Sequence, residues 1–200
     1  MRPVTFQRRL DADTELRVLQ EEDATTLYAL IDSNREHLSD WLTWVPAIRE
    51  VGDTRAFIRN TLARYLRGEG IACGLWHHGA LVGVIECQAV DPHSRSTELG
   101  YWLDERHTGL GLASRACDVL LAHAFNELKL HKVVIRCPVG HDKSAGVARR
   151  LGFTQEGLLR AHRWLHESPV DEYVFGLLAH EWTQRGEEPD PSDSDEARPA

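Results

Sequence analysis

The stretch richest in chemical potential runs from Glu98 to Ala113, where Arg106, Gly109, Gly111 and Ala113 fall in the spacing R-x-x-G-x-G-x-A. It reads as a strand, a glycine loop and the start of a long amphipathic helix. A helix start leaves backbone N–H groups without intrahelical partners and carries a partial positive charge, so it can receive a diphosphate. Gly109 and Gly111 have no Cβ, which lets an anion approach the main chain closely. The pattern is neither the G-x-x-x-x-G-K-[ST] nucleotide loop nor the G-x-G-x-x-G dinucleotide fingerprint. By itself it fits an ordinary strand-to-helix turn as well.

Other reactive side chains are less distinctive. Four cysteines, Cys73, Cys87, Cys117 and Cys137, form no C-x-x-C pair, and three of them sit in apolar, strand-like runs. They read as buried free thiols in a reducing compartment. Cys137 has no evident basic partner to activate it and reads as packing. Eleven histidines include no H-E-x-x-H and no finger-type spacing, and His162 with His166 on one face is too little for a site, so no metal is expected.

These residues need a scaffold, and the hydrophobic pattern supplies one. Strand-like runs cover Thr14–Leu19, Ile71–Trp76, Leu81–Val90, Thr97–Leu103, Lys132–Cys137, Phe153–Leu159 and Val170–Leu178. Helical periodicity follows Gln20 as far as Asn34, then runs from Asp53, as N-cap, to Arg67, from Leu112 to Leu128 and from Lys143 to Leu151. A short amphipathic segment with Leu38, Trp41, Leu42 and Trp44 stops at Pro46. One mixed α/β sheet of about seven strands with helices on both faces would bury these patterns.

The 200 residues suit one domain able to bury roughly 70% of its unfolded surface. With 42% apolar and 27% charged residues the chain has the composition of a soluble globule. No stretch approaches a membrane span or a secretory h-region, so a cytoplasmic protein without a membrane partner is expected. The formal charge of −8 disfavours a direct grip on nucleic acid. Much of that charge lies at 186–200, where Glu187, Glu188, Asp190, Asp193, Asp195 and Glu196 face only Arg198, among prolines and serines. The composition predicts a domain over 1–185 and a disordered acidic tail over 186–200.

The glycine loop, in its place in this element order, resembles that of the GCN5-related N-acetyltransferases (GNAT), whose [QR]-x-x-G-x-[GA] loop holds the acetyl-CoA pyrophosphate. More narrowly, the chain resembles the RimJ/RimL branch, which acetylates N-terminal amines, including those of ribosomal proteins. Further matches are Trp41-Leu42-x-Trp44, Glu98-x-Gly100-Tyr101-Trp102, Ser144 with Val147-Ala148-x-x-Leu151-Gly152-Phe153, and Glu156-Gly157-x-Leu159-Arg160. They span about residues 12 to 185. The resemblance implies acetyl-CoA as cosubstrate, held by Arg106, His107, Thr108, Gly109, Leu110, Gly111, Leu112 and Ala113. The pantetheine arm would lie between the splayed strands Thr97–Leu103 and Lys132–Cys137, pairing with main-chain groups near Trp102 and Leu103. One departure stands out: the family usually has asparagine three residues before the position of Ser144, and here it is His141.

By the same resemblance, Glu98 takes the place of the base that accepts the amine proton through water, although it also reads as a surface strand acid. Ser144 takes the place of the group that serves the departing thiolate, although it also reads as the N-cap of the helix that follows, and the two roles are compatible. Trp41 and Trp44 border the acceptor groove or simply pack. Tyr101 is placed with them, and both Tyr101 and Trp102 also read as core aromatics.

Three functions remain open at this level. The leading one is acetyl transfer from acetyl-CoA to a peptide N-terminus. The second applies the same chemistry to a small cationic amine such as an aminoglycoside or polyamine. The third is a CoA-binding regulator without turnover. A homodimer is left open.

Overall fold

The computed structural model describes residues 6–185; residues 186–200, where an acidic tail is expected, lie outside the described residues. Eight strands form one sheet in the order β1-β2-β3-β4-β5-β6-β8-β7. They are β1 (Gln7–Arg9), β2 (Thr14–Val18), β3 (Ile71–His77), β4 (Ala80–Asp91), β5 (Ser96–Leu103), β6 (Lys132–Pro138), β7 (Thr154–Leu165) and β8 (Ser168–Leu178). Every neighbouring pair is antiparallel except β5 with β6. Six α-helices accompany them: α1 (Ala24–Ser33), α2 (Arg35–Ser39), α3 (Val51–Leu66), α4 (Leu112–Ala122), α5 (Asp142–Arg150) and α6 (Ala179–Arg185).

Alternation along the strands divides the core into two layers. Ile85, Cys87, Leu99 and Leu103 face one way and join Ala116, Leu120 and Leu121 of α4 and Ala148 of α5. Val84 packs on the opposite face with Leu27 and Ile31 of α1 and Ile58 of α3, and Trp102 lies against that layer. The sheet is thus covered on both faces, as an apolar run such as Leu81–Ile85 requires. All four cysteines are free and buried. Among the described residues no helix is long and apolar enough to cross a membrane.

Several elements differ from the sequence expectation. Asp53 is not the N-cap of α3. Glu50 holds that place, and the Asp53 carboxylate, one turn in, accepts the N–H groups of Arg49 (2.8 Å) and Glu50 (3.0 Å). These bonds hold the Asp53 carboxyl below its ordinary pKa. Ser144 likewise lies inside the first turn of α5, with His141 at the N-cap. The long helix after Gly111 stays α-helical only to Ala122 and continues as a π-helical turn over His123–Glu127, where the Leu128 N–H reaches the His123 carbonyl at 3.0 Å.

β7 runs on to Leu165 past a register shift between Leu159 and Arg163. Ala161 sits at that shift with φ of 50°, its N–H held by Asp171 Oδ1 at 2.8 Å. The eighth strand, β1, is short, polar and exposed; pairing of Gln7 with Arg17 and of Arg9 with Glu15 forms it, without any periodicity of its own.

Candidate active site

The parallel pair β5 and β6 comes apart. Their register covers only Ser96 with Lys132, Thr97 with Val133 and Glu98 with Val134. Beyond that point β5 continues on β4 to Leu103, and β6 continues on β8 to Pro138. The β5 main chain from Leu99 to Leu103 therefore loses its β6 neighbour and borders an open cleft of about 820 Å³. Backbone groups left without a strand partner need another partner or water.

At one end of the cleft stands the start of α4, preceded by Gly109 and Gly111 with φ of 79° and 74°. Both glycines adopt the left-handed conformation that β-branched residues resist, and a Cβ on either would meet no protein atom within 4 Å. Thr108, Gly109, Gly111, Leu112, Ala113 and Ser114 line the cleft here. Ser114 Oγ is buried without a hydrogen-bond partner within the protein, one turn above the exposed helix start. A helix start with open main chain and an unanswered hydroxyl suits a phosphate oxygen.

Arg106, His107 and Leu110 do not line the cleft. Arg106 turns back onto Asp104, with Nη2 at 2.9 Å from Oδ2, and His107 Nδ1 lies 3.0 Å from the same oxygen. Asp104 is only 2% exposed. Burial alone would raise its pKa, but the Arg106 side chain, the Arg106 N–H and His107 outweigh it and hold the carboxyl below its ordinary value. Asp104 thus ties down the turn from which the glycine loop departs. No sequence motif had singled it out.

On the other side of the split, α5 carries Ser144 to the cleft wall. Tyr101 Oη reaches across from β5, 3.1 Å from the Ser144 carbonyl and 3.0 Å from Ser144 Oγ. Burial raises the Tyr101 phenol pKa well above its ordinary value, so the group stays a proton donor. Cys137 also lines this wall; burial raises its thiol pKa, partly offset by Ser144. His141 stacks on Trp41, centroids 4.1 Å apart and planes 12° from parallel. Its pKa is lowered to about 4, first by burial and then by His37 and Lys143, which leaves a neutral imidazole near pH 7.

The third region is polar floor under an aromatic rim. Trp44 lies 6.1 Å from Trp102, centroid to centroid, and both line the cleft with Trp41. Below them are Glu98 on β5 and Glu86 with Gln88 on β4. Burial raises the Glu98 pKa, and Arg136, with Nε 3.5 Å from Oε2, pulls it part of the way back. Arg163 lines the same wall, anchored on Glu172, which is 1% exposed; Nε to Oε1 is 2.6 Å.

One cleft therefore brings together Glu98, Tyr101, Trp102, Leu103, Ser144, His141, Trp41 and Trp44 with the glycine loop. Glu86 was missed, although a Glu-x-Gln pair inside the otherwise apolar run Leu81–Val90 was a legible signal.

The model of the acetyltransferase (GNAT) domain matches residues 13–154, most of the described chain. The chain belongs to the GNAT acetyltransferase family. It is an acetyltransferase that uses acetyl-CoA. A putative ribosomal N-acetyltransferase of Bacillus subtilis is 32% identical over 178 residues, which cover 88% of this chain and 97% of that relative. A ribosomal-protein-serine acetyltransferase of Escherichia coli is 31% identical over 170 residues, 85% of this chain and 95% of the other. Among solved structures, the RimL ribosomal α-N-protein acetyltransferase in complex with coenzyme A superimposes with a TM-score of 0.84 at 25% identity, covering 86% of this chain and 98% of that one. As a GNAT enzyme the chain keeps the mixed sheet with its parted strands, here with eight strands rather than the expected seven.

Proposed function

We propose that this acetyltransferase transfers the acetyl group of acetyl-CoA directly to the α-amine of a protein N-terminus. Relatives named for ribosomal proteins, the B. subtilis and E. coli enzymes, support a ribosomal protein as the acceptor class. The observation that carries the reading is that the gap between β5 and β6 joins the α4 anion site to the carboxylate-floored, aromatic-rimmed arm without a barrier.

The chemistry follows from the layout. The diphosphate sits against Gly109, Gly111 and the N–H groups opening α4, with Ser114 Oγ as an added donor. The pantetheine arm lies along β5, where main-chain N–H groups near Trp102 and Leu103 polarise the thioester carbonyl. The amine nitrogen attacks that carbon; the N–C bond forms as the C–S bond breaks. Before the attack Glu98 takes the ammonium proton through water; the second proton, shed by the nitrogen once the bond has formed, passes to the departing thiolate, which Ser144, held by Tyr101, hydrogen-bonds. Burial raises the pKa of Glu98, which strengthens it as a base. The raised pKa of Cys137 argues against a covalent acyl-cysteine route. Buried free cysteines agree with a cytoplasmic, reducing setting.

An α-amine is also the acceptor that this arrangement activates most easily. With a pKa of about 7.8 it is roughly 10–15% neutral at pH 7, against less than about 0.1% for a lysine amine. Matched peptides test the acceptor: one with a free α-amine, one N-terminally blocked but carrying a lysine, with spermidine as a third acceptor. The free α-amine should give the highest kcat/KM; a preference for spermidine or the blocked peptide would overturn the assignment.

Arg136 gives a separate check on the base. Arg136→Gln removes the cation that partly offsets burial, so the Glu98 pKa rises further. A base must be ionised to act, so the acid limb of the kcat/KM profile should move to higher pH, with activity lost first on the acidic side. An unmoved acid limb would separate Glu98 from the proton step.

A further inference from the structure

Glu86 is a half-buried carboxylate that lines the cleft with no ion pair among the described residues. The other buried or half-buried carboxylates at the cleft are paired: Glu98 has Arg136, Glu172 has Arg163, and Asp104 has Arg106, whereas Asp142, which also lines the cleft, is exposed to water. Among the described residues no lysine, arginine or histidine nitrogen lies within 4 Å of Glu86. Among the described residues its one side-chain hydrogen bond comes from the neutral amide of Gln88, with Nε2 2.9 Å from Oε1. A carboxylate held away from water without a paired cation is costly: burial raises its pKa, and Gln88 and the more distant charge of Arg64 offset this only in part.

The surrounding strands keep this carboxylate open to the cleft. Glu86 pairs with Gly100 across β4 and β5, and Gln88 pairs with Glu98. Side chains alternate, so Val84, Glu86 and Gln88 share a face with Trp102, Gly100 and Glu98. A Cβ on Gly100 would come within 2.7 Å of Gln88 Nε2 and 3.6 Å of Glu86 Cγ. The glycine thus leaves the space over which Gln88 folds to hold Glu86. Along the strands Glu86 sits level with Gly100, midway between Glu98 and Trp102. Diagonal neighbours of this kind stand about 7–8 Å apart, a gap one ammonium group with its hydrogen bonds can span.

We propose that Glu86, fixed by Gln88 in the space left by Gly100, is the counter-ion for the incoming acceptor ammonium, docking it between the two strands before Glu98 takes its proton. The inference rests on the acceptor reading above and adds to it a division of labour. Glu86 binds the positive charge and selects cationic amines, whereas Glu98 moves the proton. The transferred proton leaves the ammonium for Glu98 through water, and Glu86 gains none.

The test is Glu86→Gln, isosteric and without charge, in the full chain. Steady-state and single-turnover acetylation of a peptide with a free α-amine should show KM for the peptide raised about tenfold or more, with the rate at saturating peptide within about twofold of wild type. Calorimetry on the CoA-loaded protein supplies a readout free of turnover. Wild type should bind the peptide at least about tenfold more tightly than its des-amino counterpart, and Glu86→Gln should lose that preference while binding the des-amino peptide as wild type does. An unchanged KM, or a saturated rate that falls while KM stays fixed, would overturn the proposal and leave the acetyltransferase reading intact. If wild type acetylates other amines but not the peptide, the acceptor reading and the proposal fall together.

Discussion

Glu98→Gln is expected to slow single-turnover acetylation of an α-amine by about 10²–10⁴-fold near neutral pH, with acetyl-CoA affinity almost unchanged. The carboxylate sits at the last paired position of β5 and β6, where the cleft opens, and burial has raised its pKa. The amide keeps the shape and loses the capacity to accept a proton. The deficit should shrink toward pH 9, because an α-amine of pKa about 7.8 is then mostly neutral before it binds. Ser144→Ala should behave differently, since the role proposed for it is at the leaving thiolate: its deficit should persist over the same range. Single-turnover rates are the measure, because product release can hide the chemical step in kcat. Equal rates for wild type and Glu98→Gln from about pH 6 to 9 would return Glu98 to a structural role and assign deprotonation to solvent.

The second large effect concerns the donor loop. Gly111→Val should weaken acetyl-CoA binding at least tenfold, about 1.4 kcal/mol. The residue has a φ of 74°, and the new side chain would enter the open space proposed for the diphosphate. Two costs are mixed in this variant, one from backbone strain and one from the lost approach. Gly79 separates them. It has a φ of 77° in the turn between β3 and β4, with open space around its Cβ position and no place in the cleft lining. Gly79→Val should lose comparable thermal stability and keep its acetyl-CoA affinity. Equal affinity losses in the two variants would mean that strain, and not the diphosphate contact, is being measured.

The parts of this site that were legible in the sequence are local ones. The glycine loop and the helix after it need only neighbouring residues: two glycines with positive φ and a run with helical spacing. The strands of the central sheet were legible because burial on both faces writes long apolar runs such as Leu81–Ile85. The parting of β5 from β6 is not written this way. Main-chain pairing stops at Glu98 and Val134 without any change of residue type, so only the family resemblance anticipated it.

The N-cap reading of Asp53 and the N-cap alternative for Ser144 both fail for one reason. Asp53 and Ser144 are residues favoured at an N-cap, but each sits one turn further in, behind Glu50 and His141. Composition alone cannot separate the cap from the third helical position, because a short polar side chain can accept a free N–H at either place, from N2 or N3 at the cap and from the cap residue itself at the third position. β7 was cut short for a different reason. Arg160-Ala161-His162-Arg163 shows no alternation, and it is the β8 partner, through Val170 and Asp171, that extends the strand. Glu86 was overlooked because the run around it was read for its apolar majority.

The central claim is that donor and acceptor meet in one continuous cleft, with the thioester carbonyl between Glu98 and Ser144. Its most direct test is calorimetry of a conjugate in which the CoA sulfur is joined through an acetyl bridge to the α-nitrogen of a short peptide. Such a conjugate carries both binding elements with their relative geometry already fixed. The layout predicts that it binds at least about tenfold more tightly than CoA or the peptide alone, with one conjugate per chain. Affinity no better than that of CoA would contradict the account, because the acceptor arm would then lie elsewhere.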